Sequence, residues 1–312
     1  MIVLINALRV IILMLVTSSA NALNANSPTI INTTIEPAFI TLAKDSLPES
    51  TAVDPAFLNT DFNPYLTLNQ DANVYMSFID EGAGYKNSLG YFTFENNSFT
   101  DLTKGDIDTD SSGIISLSEL DAVNGVDYGF LYSNLSKSGS GGSLLTGDTV
   151  QVTDATISAG KSVSFFLSQN AYTGGDTVSD AVLTGNDQTF YGLDFLNPEA
   201  DFTYEFGSSS SNSRHTAMLF SDETEQNVIM GFEDLNRVDP NSNDWNIASD
   251  EDFNDAIFMV YSDPVDAFGG SNIATAPLPL MTQSIVGIIM LSGLIVITCK
   301  KEKPSNRRLL TT

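Results

Sequence analysis

Short apolar or alternating runs, separated by Gly, Asn, Asp and Ser, recur along the chain from Leu66 onwards. They are rich in Phe, Tyr, Val and Ile, which is typical of β-strands. A parallel sheet would need helical crossovers, and no long helical pattern lies between the runs. We therefore predict an all-β fold, an antiparallel β-sandwich or jelly roll over residues 66–266. The runs are ANVYMSFID, LGYFTFEN, VDYGFLYSN, DTVQVTD, KSVSFFLSQN, QTFYGLDF, DFTYEFG, RHTAMLFSD, NVIMGFED and DAIFMVYSD.

The first 22 residues combine one base, Arg9, with the apolar run 10–16 and small residues that end in the sequence Ala-Asn-Ala. This order is typical of a secretory signal peptide, and we predict cleavage after Ala22. An uncleaved anchor helix is the alternative, although the apolar run is short for a membrane span. Residues 23–65 follow as a partly ordered lead-in segment, with one short helix predicted around Ile35 to Lys44.

A second apolar stretch, Met281 to Cys299, contains no charged residue and is long enough to cross a bilayer. The basic tail 300–312 follows directly and should stay cytoplasmic. A buried core helix is the alternative, but five bases within nine residues after the stretch disfavour it. We predict a transmembrane helix over 281–299, which a linker over 267–280 joins to the β domain.

The charge of the chain excludes one class of partner. The predicted ends hold six of the 13 bases and one of the 39 acids, so the part between them has seven bases and 38 acids, a net charge of −31. A surface this acidic repels phosphate backbones and attracts cations, so we expect no nucleic-acid partner. The single cysteine, Cys299, and the single histidine, His215, exclude a disulfide framework and a cysteine–histidine zinc site.

The sequence DTDSSGIISLSE, from Asp108 to Glu119, matches the calcium loop of an EF-hand. Calcium takes about six to eight oxygen ligands, and the spacing puts oxygen atoms at the required positions around the sharp turn that Gly113 permits. The loop resembles those of EF-hand and dockerin-type modules and would form a helical insertion over 104–124. A polar Asp-Ser-Gly turn is the alternative. The predicted ligands are the side chains of Asp108, Asp110, Ser112, Ser116 and Glu119 and the main-chain carbonyl of Ile114.

A second group of acids lies where two predicted strands come together. Glu233 and Asp234 end one strand, and the sequence SDEDFND leads into the next. In an extended segment the even-numbered residues of 250–255 would face one side and the odd-numbered ones the other. Carboxylates at close range cannot all stay ionised without a cation, so we predict a second calcium site here, with a solvated turn as the alternative. Its candidate ligands are Glu233, Asp234, Asp250, Asp252, Asn254 and Asp255.

Several short sequence motifs along the chain carry a resemblance to a known family. In chain order they are EGAGYKNSLGYFTF, SGGSLLTGDTV, SVSFFLSQNAY, the Arg214-His215 pair, and GFED followed by SDEDFND. From roughly Leu66 to Pro264 the chain resembles the bacterial family called domain of unknown function 4114. The resemblance implies an exported, calcium-associated β domain of surface and adhesin-like proteins, with no established enzymatic activity. The acids that match its motif are Glu233, Asp234, Asp252 and Asp255, with Asn254 between them, and Asp250 joins them by proximity.

The C-terminal order of APLPL, apolar span and basic tail is similar to the sorting signals that exosortase-type transpeptidases recognise in Gram-negative bacteria. This resemblance implies a sorting transpeptidase as a partner. A plain transmembrane anchor is the alternative.

These observations favour an exported, membrane-anchored or sorted calcium-binding surface or matrix protein, related to adhesion or biofilm contact. A calcium-stabilised carbohydrate-binding module is the second hypothesis, with Trp245, Tyr85 or Tyr172 stacking on a surface polysaccharide. A glycosidase with two carboxylates is the third. We expect no catalytic activity, because no nucleophile signature accompanies His215.

Overall fold

The computed structural model describes residues 22–24, 27–175, 177–179, 188–201, 213–237 and 249–277. Most of the predicted signal peptide, the run DFTYEFG after its first residue, Trp245, and the predicted membrane helix and tail lie outside these ranges. Among the described residues, no helix has the length and apolar character to cross a membrane.

The described chain is mostly β-sheet, which confirms the predicted all-β class. Its few helices are α1 (Pro37–Ser46), α2 (Lys104–Ile107) and α3 (Leu117–Asp121), with short 3-10 turns at Pro55–Leu58, Asp194–Leu196 and Pro198–Asp201. The strands are β1 (Ala22–Asn24), β2 (Ile31–Asn32), β3 (Leu66–Thr67), β4 (Asn73–Asp80), β5 (Ser88–Glu95), β6 (Val126–Tyr132), β7 (Asp148–Gln151), β8 (Lys161–Ser168), β9 (Tyr172–Gly174), β10 (Thr177–Ser179), β11 (Thr189–Tyr191), β12 (Thr216–Phe220), β13 (Asn227–Phe232), β14 (Ala256–Asp263) and β15 (Ala274–Thr275).

The strands form two large sheets and one small one. The first has the order β15-β12-β13-β14-β4-β7-β2, and the second has the order β11-β8-β5-β6 with β3 paired to β8. A small sheet has the order β1-β10-β9. Neighbouring strands are antiparallel except for β12 and β15, which run parallel. The strands are therefore connected mostly as antiparallel neighbours, without the helical crossovers of a parallel sheet.

One apolar core joins the two large sheets. The ring of Tyr132 in β6 stacks on Phe258 in β14 with 5.9 Å between the ring centroids. The Tyr132 hydroxyl also donates to the main-chain oxygen of Met76 in β4 at 3.0 Å. Strand β14 alternates between two cores, because Phe258 and Val260 face this one while Ile257 faces away. Burial on both faces explains why these strands are apolar along nearly their whole length.

Helix α1 and the following turns cover the outer face of the first sheet. Leu47, Val53 and Phe57 pack there in one cluster with Ile257 and Phe253. The lead-in segment thereby contacts the loop that precedes β14.

The insertion between β5 and β6 covers the outer face of the second sheet. Ile115, Leu117 and Leu120 lie in one apolar cluster with Phe92 and Phe166. The Tyr191 hydroxyl donates to the Ile115 carbonyl at 2.7 Å. The second sheet thus supports the loop at 108–119 through apolar packing and a hydrogen bond.

Residues 267–276, which the sequence analysis assigned to a linker, belong to the sandwich instead. Phe268 is fully buried in the central core, and Ala274 in β15 pairs with Leu219 of β12. The segment folds back because Ala267, Phe268 and Ile273 supply apolar surface that a solvated linker would leave in water.

Candidate metal centres

Two neighbouring strands position the acids of the second predicted site. Strand β13 ends at Phe232, strand β14 begins at Ala256, and these two residues are antiparallel partners. Glu233 and Asp234 therefore leave the sheet beside the arriving loop 249–255. The sequence placed these two arms together correctly, because each acidic phrase adjoins a strongly apolar strand.

The loop 249–255 is not extended, and the predicted sorting of its residues onto two sides is wrong. Glu251 and Phe253 adopt positive φ angles of 64° and 56°, which turn the backbone at alternate residues. The fully buried Phe253 ring and an ion pair between Glu251 and Arg237 at 3.0 Å hold this conformation. The Arg237 guanidinium also lies 5.0 Å from the centroid of the Phe253 ring. Tertiary packing here outweighs the local preference for an extended backbone.

Five carboxylates converge at this point, and we call Glu233, Asp234, Asp250, Asp252 and Asp255 the acidic cluster. One group of oxygen atoms, from Glu233, Asp250 and Asp252, has all its members within 4.8 Å of one another. A second group, from Glu233, Asp234 and Asp255, meets the same limit. Calcium–oxygen distances are about 2.3–2.6 Å, so the oxygens of each group can reach one ion.

Glu233 is the central member of the acidic cluster and is fully buried. Its Oε1 accepts a hydrogen bond from the Leu235 amide at 3.2 Å. Its Oε2 is also buried and accepts no hydrogen bond in the described part of the chain. A buried carboxylate oxygen without a partner costs free energy, which a bound cation would recover.

Hydrogen bonds fix the other buried acids of the cluster. Asp234 Oδ2 accepts from the Asn87 side-chain amide at 2.6 Å. Asp255 Oδ2 accepts from the Asp234 amide at 2.7 Å. Asp252 accepts from the Ser50 amide at 2.8 Å and from the Asn254 amide at 3.0 Å. The carboxylates are therefore oriented in advance, which is what a metal site requires of its ligands.

Burial makes these carboxylates difficult to ionise together. Burial and the adjacent charge of Asp234 raise the pKa of Glu233 to about 8. Burial raises the pKa of Asp234 to about 6, and burial with the charges of Asp234 and Glu233 raises the pKa of Asp255 well above its usual value. A divalent cation would reverse these shifts, because it stabilises the ionised forms.

Basic side chains near the acidic cluster are engaged elsewhere. Arg237 pairs with Glu251, and Arg214 pairs with Asp194 at 2.9 Å. Lys137 pairs with Asp80 at 2.8 Å. Within the described ranges, none of these ion pairs includes a member of the acidic cluster.

Asn254, the sixth predicted ligand, faces another direction. Its side-chain amide donates to Glu49 at 3.1 Å, and its Oδ1 lies against Gly82. The structure therefore places the Asn254 side chain between the lead-in segment and the turn after β4. Its main-chain carbonyl accepts from the Gly82 amide at 3.1 Å.

The structure adds residues around the acidic cluster that the sequence analysis did not place there. Gln169, just after β8, donates to the Asp234 carbonyl at 2.7 Å. Buried His215 lies between the Glu233 carbonyl at 2.8 Å and Glu199 Oε1 at 3.0 Å. The sequence feature that could have indicated such residues is a polar side chain at the end of an apolar strand, as in Asn87 and Gln169.

The EF-hand-like loop, residues 108–119, brings its three acidic predicted ligands together. Oxygen atoms of Asp108, Asp110 and Glu119 lie within 4.8 Å of one another. Gly113 has a φ of +81°, as the predicted turn requires. The Ser112 hydroxyl donates to the Ile114 carbonyl at 2.9 Å, so these two predicted ligands contact each other. The flanking helices α2 and α3, within the predicted helical insertion, are four and five residues long.

The protein itself satisfies the carboxylates of this loop. Glu119 accepts from the Thr109 amide at 2.7 Å and from the Ser116 amide at 2.9 Å, and Ser116 caps helix α3 through a capping box. Burial opposes ionisation of Glu119, but these hydrogen bonds outweigh it and lower its pKa. The Ser112 hydroxyl lowers the pKa of Asp110. Unlike Glu233, Glu119 therefore has its ionised form stabilised by hydrogen bonds within the protein.

Comparison with known proteins gave one match. Residues 157–263 match the family model described as Domain of unknown function (DUF4114). The searches of curated proteins and of solved structures returned no match. The EF-hand-like loop lies outside the matched residues, whereas every member of the acidic cluster lies inside them. The part of the chain that is similar to this family model therefore contains the acidic cluster.

Proposed function

We propose that this protein is an exported, non-catalytic calcium-binding protein in which the cation stabilises a β-sandwich outside the cell. One observation carries the proposal: the buried, unpartnered Oε2 of Glu233 amid four aspartates. All the candidate ligands are oxygen atoms, which favours calcium, magnesium or manganese over softer metals. The large number of carboxylates and the irregular loop favour calcium among these, because magnesium demands a near-octahedral site.

The expected stabilisation is modest. Extracellular calcium modules have dissociation constants of about 10⁻⁴ to 10⁻³ M. At a few millimolar calcium, one such site stabilises the folded state by about 1 to 2 kcal/mol. The cation would act as a structural component of the domain rather than as a signal.

A sharp test compares the melting temperature of the wild-type chain and of Glu233→Gln, each with calcium and with EDTA at about pH 8.5. In EDTA the variant should melt higher than wild type by roughly 2 to 6 °C, because it removes one repelling carboxylate. In calcium it should melt lower, because it removes a ligand. The protein with the higher melting temperature is therefore the variant in EDTA and the wild type in calcium.

Glu199→Gln is the matched control, since Glu199 is equally buried but contacts His215 instead of the acidic cluster. This variant should lower the melting temperature by the same amount in calcium and in EDTA. Wild-type melting curves that coincide in calcium and EDTA would refute the calcium proposal.

The extracellular part of the proposal rests on the chain ends: a signal-like N-terminus, and an apolar stretch followed by a basic tail. The acidic composition between them also suits a calcium-rich exterior. Cell fractionation with a tag inside the β domain tests this directly. Protein recovered from the cytoplasm would refute export, and mass measurement of the mature C-terminus would distinguish a sorted product from an intact anchor.

A second candidate, binding of a neutral sugar, rests on a cleft of about 600 Å³ beside β6. Half-buried Tyr172 lines the cleft with Ser133, Asn134 and Ser143, and the described residues of its lining include no charged side chain. An uncharged polar cleft with an aromatic ring suits sugar hydroxyls and stacking. Tyr172→Ala should abolish binding to a glycan array. An array without any signal for the wild type would remove this candidate.

A further inference from the structure

The acidic cluster consists of two groups of ligand atoms rather than one. Asp250 and Asp252 form one group with Glu233, and Asp234 and Asp255 form the other. Glu233 is the single residue that the two groups share. The first group includes the exposed Asp250, whereas Asp234 and Glu233 in the second are buried.

We propose that the acidic cluster holds two divalent cations, an outer and an inner one, with the Glu233 carboxylate bridging them. The inference rests on the proposed function, since it presupposes that this cluster binds cations. The outer ion would be held by Glu233, Asp250 and Asp252, and the inner ion by Glu233, Asp234 and Asp255.

The state of Glu233 supports a bridging role. A carboxylate offers two oxygens with about four lone pairs, and Oε1 uses one of them for the Leu235 amide. Oε2 is buried without any partner in the described part of the chain. The Ser249 side chain also interacts with this carboxylate. Lone pairs nevertheless remain on its oxygens for binding to cations.

The charge of the cluster also favours two ions. One divalent cation would leave the five ionised carboxylates with a net charge of −3, and two would leave −1. The basic side chains around the cluster, Arg237, Arg214 and Lys137, already pair with other acids. A residual charge of −3 in a mostly buried position is unfavourable, and the second cation removes most of it.

The two ions would stabilise different parts of the molecule. Asp234 is held by Asn87 and Gln169, which lie at the ends of strands in the second sheet, so the inner ion would tie the two sheets together. Asp252 accepts from the Ser50 amide, so the outer ion would tie the lead-in segment to the loop before β14.

The test counts manganese ions on the full chain, purified in detergent, in a D108N/E119Q background that disables the EF-hand-like loop. Manganese accepts the same oxygen ligands as calcium and has an electron paramagnetic resonance spectrum. We expect two ions per chain, with the broadened spectrum of two metals about 4 Å apart. Added D250N should leave one ion with the spectrum of an isolated metal.

Asp250 is the suitable position because its exposed side chain can be replaced without disturbing the core. Calcium should displace both ions. E233Q in the same background should lose both ions or retain one without magnetic coupling. A chain that binds no ion at this cluster would refute the proposed function itself. A single bound ion, or two ions without magnetic coupling, would leave the proposed function intact and refute the bridged pair.

Discussion

At the scale of single residues, the two sets of acids differ in what satisfies their oxygens. Glu119 accepts hydrogen bonds from Thr109 and Ser116, and its pKa is lowered. Glu233 receives one amide hydrogen bond and lies beside Asp234, and its pKa is raised to about 8. The fold therefore stabilises the ionised form of Glu119 and destabilises that of Glu233, so without a cation Glu233 keeps its proton up to a higher pH.

This difference predicts how the cation-free protein responds to pH. Glu233 has a folded pKa of about 8 against an ordinary value of 4.5, so between these values the folded chain binds more protons than the unfolded chain. For this group, stability should be greatest below about pH 4.5, fall as pH rises from about 4.5 to 8, and level off above pH 8, with a loss of up to about 1.4 kcal/mol for each unit of the pKa shift.

Thermal melting in EDTA at several pH values between about 5.5 and 8.5 measures the effect. The wild-type melting temperature should fall across this range, and that of E233Q should fall less in the same buffers, which cancels the contribution of other titrating groups. Millimolar calcium should flatten the wild-type curve. A wild-type curve that runs parallel to that of E233Q would contradict the raised pKa.

At the scale of elements, the insertion 104–124 shows how a short loop can fold between two strands. Helices α2 and α3 are too short to be stable alone, and they depend on the apolar residues that they place on the second sheet. The chain reverses between them at Gly113, whose φ of +81° is strained for other residues.

Replacing this glycine tests the strain separately from packing. Gly113→Ala should lower the free energy of unfolding by about 1 to 2 kcal/mol, because no atom lies within 4 Å of the added Cβ and the backbone conformation alone opposes it. Gly84→Ala is the matched control, with equally open surroundings and no positive φ. Urea denaturation should show no loss for Gly84→Ala. Equal effects of the two substitutions would refute the strain argument.

At the scale of the whole molecule, the acidic cluster lies where three parts meet. The first sheet supplies its strand ends, the second sheet supplies Asn87 and Gln169, and the lead-in segment supplies the Ser50 amide. The Val53 amide also donates to the Glu251 carbonyl at 2.8 Å. Cation binding at the cluster should therefore affect the lead-in segment as well as the sandwich.

Amide hydrogen exchange measures this connection. Removal of calcium should raise the exchange rates of the Ser50 and Val53 amides at least about tenfold, because loss of roughly 1.4 kcal/mol of local stability corresponds to that factor. The Phe165 amide, in the central core, should change much less and serves as the internal reference. Uniform acceleration at all three positions would indicate global destabilisation instead.

Sequence reasoning succeeded where a local pattern determines the structure. The apolar run that begins at Ala256 predicted a strand, and the acid spacing predicted the turn at Gly113. Sequence reasoning failed where the position of a side chain depends on a partner that is far away along the chain. The contact of Asn254 with Glu49 joins residues 205 positions apart, and no periodicity in the sequence indicates it.

The predicted extended backbone of the loop 249–255 was wrong for a related reason. A positive φ at Glu251 or Phe253 is locally unfavourable, so the sequence argues for an extended segment. Burial of the Phe253 ring and the Arg237 ion pair reverse that preference, and both depend on the folded surroundings.

The ion pairs of the sandwich also affect how separate molecules meet. Of the seven bases between the predicted ends, five pair with acids in the described part of the chain: Lys44, Lys137, Lys161, Arg214 and Arg237. Few positive groups are then left to offset the acids facing solvent. Such molecules should behave as a polyanionic colloid, repelling one another beyond contact over a screening length of about 8 Å at physiological salt. Divalent ions would shorten that range most strongly, so the ion concentration that stabilises the fold would also determine how densely the molecules can crowd on a surface.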